Sequence, residues 1–360
     1  MNNKKILIIT NVSGGLYGFR RELISELVKT NNVYAATTLT IKTDELEQLG
    51  VRLIDVPVES RSVNPIKDFV LLIKYVKLIK SLKPDLVITY TIKPNLYGGI
   101  ASRICRNTYA ANITGLGTAF QKNGLLKMGI IKLYKFALKK AKTVFFENAG
   151  NRDFFVNQNI IEQKQSCLLS GAGVNTDYYQ YHHYPHNDPF IFLFMGRVMK
   201  EKGINELFDA MKILIDQGNN CILKVLGGYE EDYKNVIQKH SSEGWLYYYG
   251  YQDDVIPFIQ EANCFVLPSW HEGMANTNLE CASVGRPIIT SNISGCKEAV
   301  IDGVSGFLCE PKNYKSLCEK MEMMINLSDD ERMIMGMEGR RHMETSFDKK
   351  IVVEETIKNL

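Results

Sequence analysis

Short apolar, largely β-branched runs alternate with longer amphipathic stretches along this chain, and the alternation starts twice. The first series is KILIIT (5–10), VYAAT (33–37), VRLIDV (51–56), DLVITY (85–90), AANIT (110–114), TVFFE (143–147) and SCLLS (166–170). A strand buried on both faces cannot alternate polar with apolar residues, so near-continuous apolar runs separated by helices point to parallel sheets covered on both sides. YYQYHHYPHNDP (178–189) interrupts the pattern and has no helical period. The alternation then restarts with FIFLFM (190–195), CILKVL (221–226), WLYYYG (245–250), CFVLP (264–268) and PIIT (287–290). The expected fold is α/β, with two doubly wound Rossmann-like domains at 1–177 and 190–340. The stretch 178–189 reads as a linker, and 341–360 as a carboxyl-terminal helix packing back on the first domain. Such sheets are expected to turn the carboxyl ends of their strands toward a common cleft, so function is read from the turns that follow strands.

Length agrees, because 360 residues exceed what one hydrophobic core usually organises. With 45% apolar and 23% charged residues the chain is neither disordered nor a disulfide-dense miniature. A net charge of +3 hides a division. Residues 1–175 hold 25 basic and 12 acidic side chains, +13, and residues 176–360 hold 18 and 28, −10. The eight cysteines show no CxxC or zinc-ligand spacing and fit a reducing compartment. MNNKKILIIT has no cleavage-site pattern and is not expected to be a signal peptide. No stretch approaches the roughly 18–20 apolar residues that span a bilayer. The expected location is cytoplasmic, peripheral at the inner face of the plasma membrane.

Three turns carry chemistry. After the first strand, NVSGGLYGF (11–19) offers Gly14 and Gly15, which let backbone approach a ligand, before a helix from about Leu16. The spacing is neither the dinucleotide fingerprint nor a P-loop, and a plain tight turn is the alternative. In the second half, MGRVMKEKGINEL (195–207) places Arg197 past a strand and Lys202 before a helix, two cations suited to a diphosphate unless they are an ordinary solvated cluster. PSWHEGMANTNLECASVGRPII (268–289) carries Glu272 and Glu280 with seven residues between them. Gly273, Met274, Ala275 and Asn276 lead into a helix whose free amides suit a second anion. Glu280 is expected about two helical turns on. One carboxylate could meet sugar hydroxyls while the other stands further along the ligand. A solvated pair of glutamates is the plainer reading, although Leu279, Cys281 and Ala282 make that helix look buried.

GRVMKEKGINEL, HEGMANTNLECASVGRPII and GCKEAVIDGVSGFLCEP (295–311), in this order, resemble the carboxyl-terminal half of family 4 retaining glycosyltransferases of the GT-B fold. SGAGVNTDYY (170–179) is similar to that family's crossing segment. TYTIKPNLYGG (89–99) and NITGLGTAF (112–120) resemble its branch that builds bacterial capsule, O-antigen and other lipid-linked oligosaccharides. The resemblance spans essentially the whole chain. It implies that Arg197 and Lys202 hold the donor diphosphate, Glu272 lies nearest the donor sugar, and Glu280 binds the ribose hydroxyls. It implies further that the amides of Gly273, Met274, Ala275 and Asn276 contact sugar and phosphate, with Gly14 and Gly15 beside phosphate and acceptor. Tyr249 to Tyr251 are placed near the base. No metal is implied, because cations and helix dipoles neutralise the charge on the leaving group. Asp253 and Asp254 read as the cap of the helix VIPFIQEA rather than as a metal motif. Many family members place a histidine of the first domain near the donor sugar. The six histidines here are 182, 183, 186, 240, 271 and 342, so Asn112 or Thr114 is the expected substitute. His271 is either a base or an orienting residue.

LLKMGIIKLYKFALKKAK (125–142) and FVLLIKYVKLIKSLK (69–83) are basic amphipathic segments. They read either as ordinary sheet-covering helices with a solvated lysine face or as surfaces for anionic lipid, and the +13 of that half favours lipid. Nucleic acid is not an expected partner, since no recognisable module for it accompanies the charge. The expected activity is transfer of a hexose or N-acetylhexosamine from a nucleotide sugar, UDP-linked, to a polyprenyl-diphosphate-linked saccharide in surface polysaccharide synthesis. The rivals are a nucleotide-sugar epimerase on the same fold and a non-catalytic nucleotide-sugar-binding subunit.

Overall fold

The computed structural model of the chain describes residues 2–59, 64–117 and 124–360. It divides into two compact units, Met1–Ala172 with Val352–Leu360, and Gly173–Ile351. Residues 118–120 of the NITGLGTAF segment lie outside the described residues. All eight cysteines are unpaired thiols, six of them buried. Among the described residues no helix is long and apolar enough to cross a membrane.

The first unit holds β1 (Lys5–Val12), β2 (Asn32–Thr38), β3 (Arg52–Asp55), β4 (Leu86–Tyr90), β5 (Tyr109–Ile113), β6 (Thr143–Phe146) and β7 (Ser166–Leu168). They form one parallel sheet in the order β3-β2-β1-β4-β5-β6-β7, so the direction of winding reverses between β1 and β4. Every residue of β4, β5 and β6 is buried, which is why their sequences run apolar without alternation. Leu71, Tyr75 and Ile79 of helix Pro65–Leu82, Ile100 and Ala101 of helix Gly99–Cys105, and Tyr134, Ala137 and Leu138 of helix Leu125–Leu138 belong to one core cluster. Leu16, Leu23, Ile24 and Leu27 of helix Ser13–Val28 belong to another, which Val352, Val353 and Leu360 complete.

The second unit holds β8 (Phe190–Met195), β9 (Cys221–Leu226), β10 (Leu246–Gly250), β11 (Cys264–Leu267), β12 (Ile288–Ser291) and β13 (Gly306–Cys309). Their parallel order is β10-β9-β8-β11-β12-β13, with the reversal between β8 and β11. The four-residue β13 is absent from the strands expected from sequence. It hides in DGVSGFLCEP and begins with Gly306, where a Cβ would lie 2.0 Å from the Ile288 carbonyl oxygen.

Three boundaries differ from expectation. The division falls at Ala172/Gly173, and residues 178–189 are fastened to the second unit rather than strung as a free linker. His182 N–H donates to Val284 O at 3.1 Å. The fully buried Arg286 guanidinium donates to the carbonyls of His182 and His183, and Asn263 Nδ2 donates to Pro185 O at 3.0 Å. The tail is not one helix over 341–360. Helix Asp329–His342 passes into a π-helical turn, Met343–Phe347, before a last helix, Lys349–Asn359. Thr143 Oγ1 donates to Asn359 O at 2.7 Å, tying that helix to the first unit.

Arg20 of helix Ser13–Val28 makes a buried ion pair with Glu147, just past β6, and lies 4.9 Å from the Tyr90 ring centroid. It clamps the helix leaving β1 against the ends of β4 and β6. Removing one member strands the other charge, so Arg20→Ala is expected to destabilise the first unit by about 3–5 kcal/mol in urea denaturation. A loss below about 1 kcal/mol would show that the clamp carries little weight.

Candidate functional site

In open α/β sheets ligands bind beyond the strand carboxyl ends where the winding reverses. In the second unit that point lies between the loops after β8 and β11, and each carries residues singled out from sequence. Arg197 stands two residues past β8, 54% exposed in its side chain, with Nη1 3.4 Å from Glu230 Oε2. A surface pair of that length contributes about 0–1 kcal/mol and leaves the guanidinium available to a stronger anion. Lys202 closes the 3-10 turn Lys200–Lys202, and its ammonium donates to Glu272 Oε1. The same oxygen accepts from Ser269 Oγ at 2.8 Å, and Ser269 is fully buried. Lys202 and Glu272, seventy residues apart, are thus joined at a half-buried site with side-chain exposures of 19% and 12%.

Backbone contacts hold this arrangement. Gly203 has φ +72°, and a Cβ on it would lie 2.1 Å from the Pro268 carbonyl oxygen. Gly227, at the end of β9, could carry no Cβ either, because one would lie 1.9 Å from Gly196 O. Gly295 (φ +92°) lies under the Glu272 and Gly273 carbonyls, each 2.7 Å from where its Cβ would be. Trp270 N–H donates to Glu201 O at 2.9 Å, and its indole lies beside the Lys312 ammonium, 4.5 Å from the ring centroid. His271 Nε2 is 3.5 Å from Glu201 Oε2, and burial lowers the pKa of its ring.

Glu280 lies in helix Asn276–Ser283. The helix begins at Asn276, so Glu280 stands just over one turn from its start, not the two expected from counting eight residues from Glu272. Burial pushes its carboxyl up to about 7, opposed by the Tyr179 hydroxyl and the Lys349 charge. Lys349 lies in no quoted motif, and Tyr179 ends the crossing segment SGAGVNTDYY without being singled out there, so sequence reasoning missed both. Ser269 and the three shape-setting glycines were missed as well, although glycine directly after an apolar strand or before a helix is a readable signal. Two of the four amides expected to meet an anion are engaged: Ala275 N–H donates to Gly295 O at 2.7 Å and Asn276 N–H to Met274 O at 3.0 Å. Met274 and Ala275 are buried.

Other candidates are placed differently. Gly14 and Gly15 lie inside helix Ser13–Val28, which starts three residues earlier than expected, and a Cβ on Gly14 would lie 2.7 Å from Ile41 Cγ1. Asn112 is buried within the first sheet, its Nδ2 donating to Thr89 O at 3.3 Å and its carbonyl accepting from Asn95 Nδ2 at 2.8 Å. Thr114 is half-buried just past β5. Tyr249 and Tyr251 are exposed at edge strand β10 and beyond it, Tyr249 against Phe258 and the Tyr251 hydroxyl 3.3 Å from Asp253 Oδ1. Asp254 Oδ1 accepts from Ile256 N–H at 3.1 Å at the start of helix Ile256–Glu261. Among the described residues no group of three His, Cys, Asp or Glu could hold a metal ion.

Residues 5–148 match the family described as glycosyl transferase 4-like, and residues 182–342 that of glycosyl transferases group 1. The chain is 26% identical to the N,N'-diacetylbacillosaminyl-diphospho-undecaprenol alpha-1,3-N-acetylgalactosaminyltransferase of Campylobacter jejuni, covering 98% of this chain and 97% of that protein. It is also 26% identical to the capsular polysaccharide biosynthesis glycosyltransferase CapM of Staphylococcus aureus, over 99% of this chain and 96% of that one. Among solved structures, Anabaena Alr3699/HepE in complex with UDP-glucose superposes with a TM-score of 0.81 at 17% identity, covering 99% of this chain and all of that one.

A carboxyl with a pKa of about 7 in the fold and 4.5 ordinarily takes up a proton on folding between those values. Its contribution to stability is full below 4.5 and is lost as pH rises through 7. Glu280→Gln is therefore expected to gain stability over the parent at about pH 8, by roughly 2 kcal/mol, and none at about pH 4.5. Thermal scans at both values check this, and an equal difference at each would contradict it.

Proposed function

The chain belongs to the family 4-like glycosyltransferases of the GT-B fold, and from that membership we propose that it transfers a hexose or N-acetylhexosamine from a UDP-sugar to a polyprenyl-diphosphate-linked saccharide. Glycosyl transfer cleaves the bond between the anomeric carbon and the donor phosphate, leaving a diphosphate whose charge must be neutralised. The observation that carries the reading is the Lys202–Ser269–Glu272 knot at the winding reversal, with Arg197 on the adjoining loop. Lys202 and Arg197 take the diphosphate, where a preorganised cation acts most strongly on the charge that develops at bond breaking. Glu272 accepts hydroxyls of the donor sugar, leaving Lys202 for phosphate. Glu280 accepts the ribose hydroxyls, and Tyr249 or Tyr251 lies near the base. The Gly273–Asn276 stretch of the same loop lies beside the sugar and phosphate of the donor.

The reaction proceeds with retention. The acceptor hydroxyl attacks the anomeric carbon on the face the leaving group departs from. As the new C–O bond forms and the old one breaks, the hydroxyl proton passes to the departing phosphate oxygen. Positive charge from the protein supports this step without a metal ion. The acceptor class rests on the Campylobacter relative, whose own acceptor is a diphospho-undecaprenol, and on the capsule synthesis performed by CapM. A lipid-linked acceptor places the enzyme at the inner face of the plasma membrane, where the +13 of residues 1–175 faces anionic lipid.

Lys202→Ala and Glu272→Ala are each expected to lower kcat/KM by about 100-fold or more while the purified variants keep the parent's circular dichroism. Near-full activity in either folded variant would remove the site assignment.

A further inference from the structure

The positive charge of the first unit is concentrated in one segment. Residues 64–142 contain 15 basic and 2 acidic side chains, and the remainder of residues 1–175 contains 10 of each. This segment supplies helix Pro65–Leu82, which packs on helix Gly99–Cys105, which in turn packs on helix Leu125–Leu138, all over one face of the sheet. Ile66, Phe69, Val70 and Ile73, spaced as one helical face, stay exposed on the first of these helices.

A cavity of about 820 Å³ opens where the second and third helices meet the sheet. Arg103, Arg106, Lys140 and Lys142 line it with Ile104 and Phe136, and no acidic residue does. It lies at the amino-terminal ends of β5 and β6, since Asn107, Thr108 and Lys142 directly precede those strands. The loops discussed above follow strands, so this is a separate place. The Arg103 guanidinium donates to Phe136 O and lies 4.2 Å from that ring's centroid. Lys142 Nζ donates to Leu360 O at 2.6 Å. The Phe136 carbonyl holds the Arg103 guanidinium in position and neutralises none of its charge, whereas Lys142 is engaged by the last residue of the sequence. Ile104 and Phe136 are 55% and 54% exposed at the same cavity.

We propose that this cavity binds the phosphate of an anionic glycerophospholipid, with Ile104 and Phe136 against the carbons next to the phosphate. Arg103, Arg106 and Lys140, with no acidic side chain in the lining, favour an anion, and a guanidinium suits a phosphate that the other two approach. A small free anion has no use for two exposed apolar side chains at the rim, whereas a lipid presents apolar carbon beside its phosphate. The proposal rests on the reading of the enzyme as working at a membrane surface and adds a defined headgroup site to it.

Flotation of the full chain with vesicles of phosphatidylcholine, with and without phosphatidylglycerol, tests it. The parent is expected to float only with phosphatidylglycerol. Arg106→Glu/Lys140→Glu is expected to lower that partitioning about tenfold or more, and Lys4→Glu/Lys164→Glu, with the same change in net charge, to lower it less than about threefold. Transfer to a water-soluble acceptor should be unchanged in both, and Arg106→Gln/Lys140→Gln replaces the first pair should it not fold. A parent that ignores phosphatidylglycerol overturns the membrane reading itself. Equal losses in the two charge-reversed pairs overturn the cavity in favour of diffuse attraction. Displacement of the parent from vesicles by free glycerol phosphate at lipid-equivalent concentration overturns the lipid assignment in favour of a site for small anions.

Discussion

The contact on which the site depends is the approach of Gly203 to the Pro268 carbonyl. A Cβ would stand 2.1 Å from that oxygen, and φ is +72°, so both the space and the backbone angle call for glycine. Because the turn Lys200–Lys202 can then lie against the loop after β11, Lys202 reaches Glu272. Gly227 on Gly196 and Gly295 under Glu272 and Gly273 repeat the device on either side. Three glycines thus bring the loops after β8, β9 and β11, and the turn after β12, into one rigid surface. A preorganised cation needs such a frame, since its advantage lies in not having to move when charge develops.

Electrostatics in the two units follow different logics. In the second, net charge is a poor guide. Residues 176–360 carry −10, yet the loops after β8 and β11 present Arg197 and Lys202. Burial pushes the Glu280 carboxyl up to about 7, so it carries less negative charge at neutral pH than an exposed glutamate. In the first unit charge is layered, with the excess confined to the segment that forms three neighbouring helices on one face of the sheet. A carboxylate-poor layer of that kind has a field extending about one Debye length from the surface, roughly 8 Å at physiological salt.

Much of the fold was legible because buried parallel strands leave a continuous apolar record. Twelve of the thirteen strands lie where apolar runs stand in the sequence. The exception, Gly306–Cys309, is short and begins with a residue chosen for close approach, not for strand propensity. The segment 178–189 looked like a linker because its polar and aromatic residues satisfy no period. Its order comes from Arg286, Asn263 and Val284, which are distant in sequence. Of the Lys202–Glu272 contact, the sequence showed only that both residues stand in turns that follow strands; the winding reversal that joins those turns came from the strand order. The Glu280 surroundings were not legible, since Tyr179 and Lys349 meet it only through tertiary packing. Gly14, which suggested a ligand from its place after the first strand, also packs against the Ile41 side chain.

Group transfer from a nucleotide sugar to a lipid-linked acceptor is the activity proposed for this chain. The most direct measurement incubates the purified chain with a panel of nucleotide sugars, with and without a polyprenyl-diphosphate-linked saccharide, and follows both substrates by mass spectrometry. One UDP-sugar is expected to be consumed only when acceptor is present, and the acceptor to gain the mass of one hexosyl or N-acetylhexosaminyl residue. Conversion of donor without acceptor, or binding of donors with no turnover of any, would contradict it.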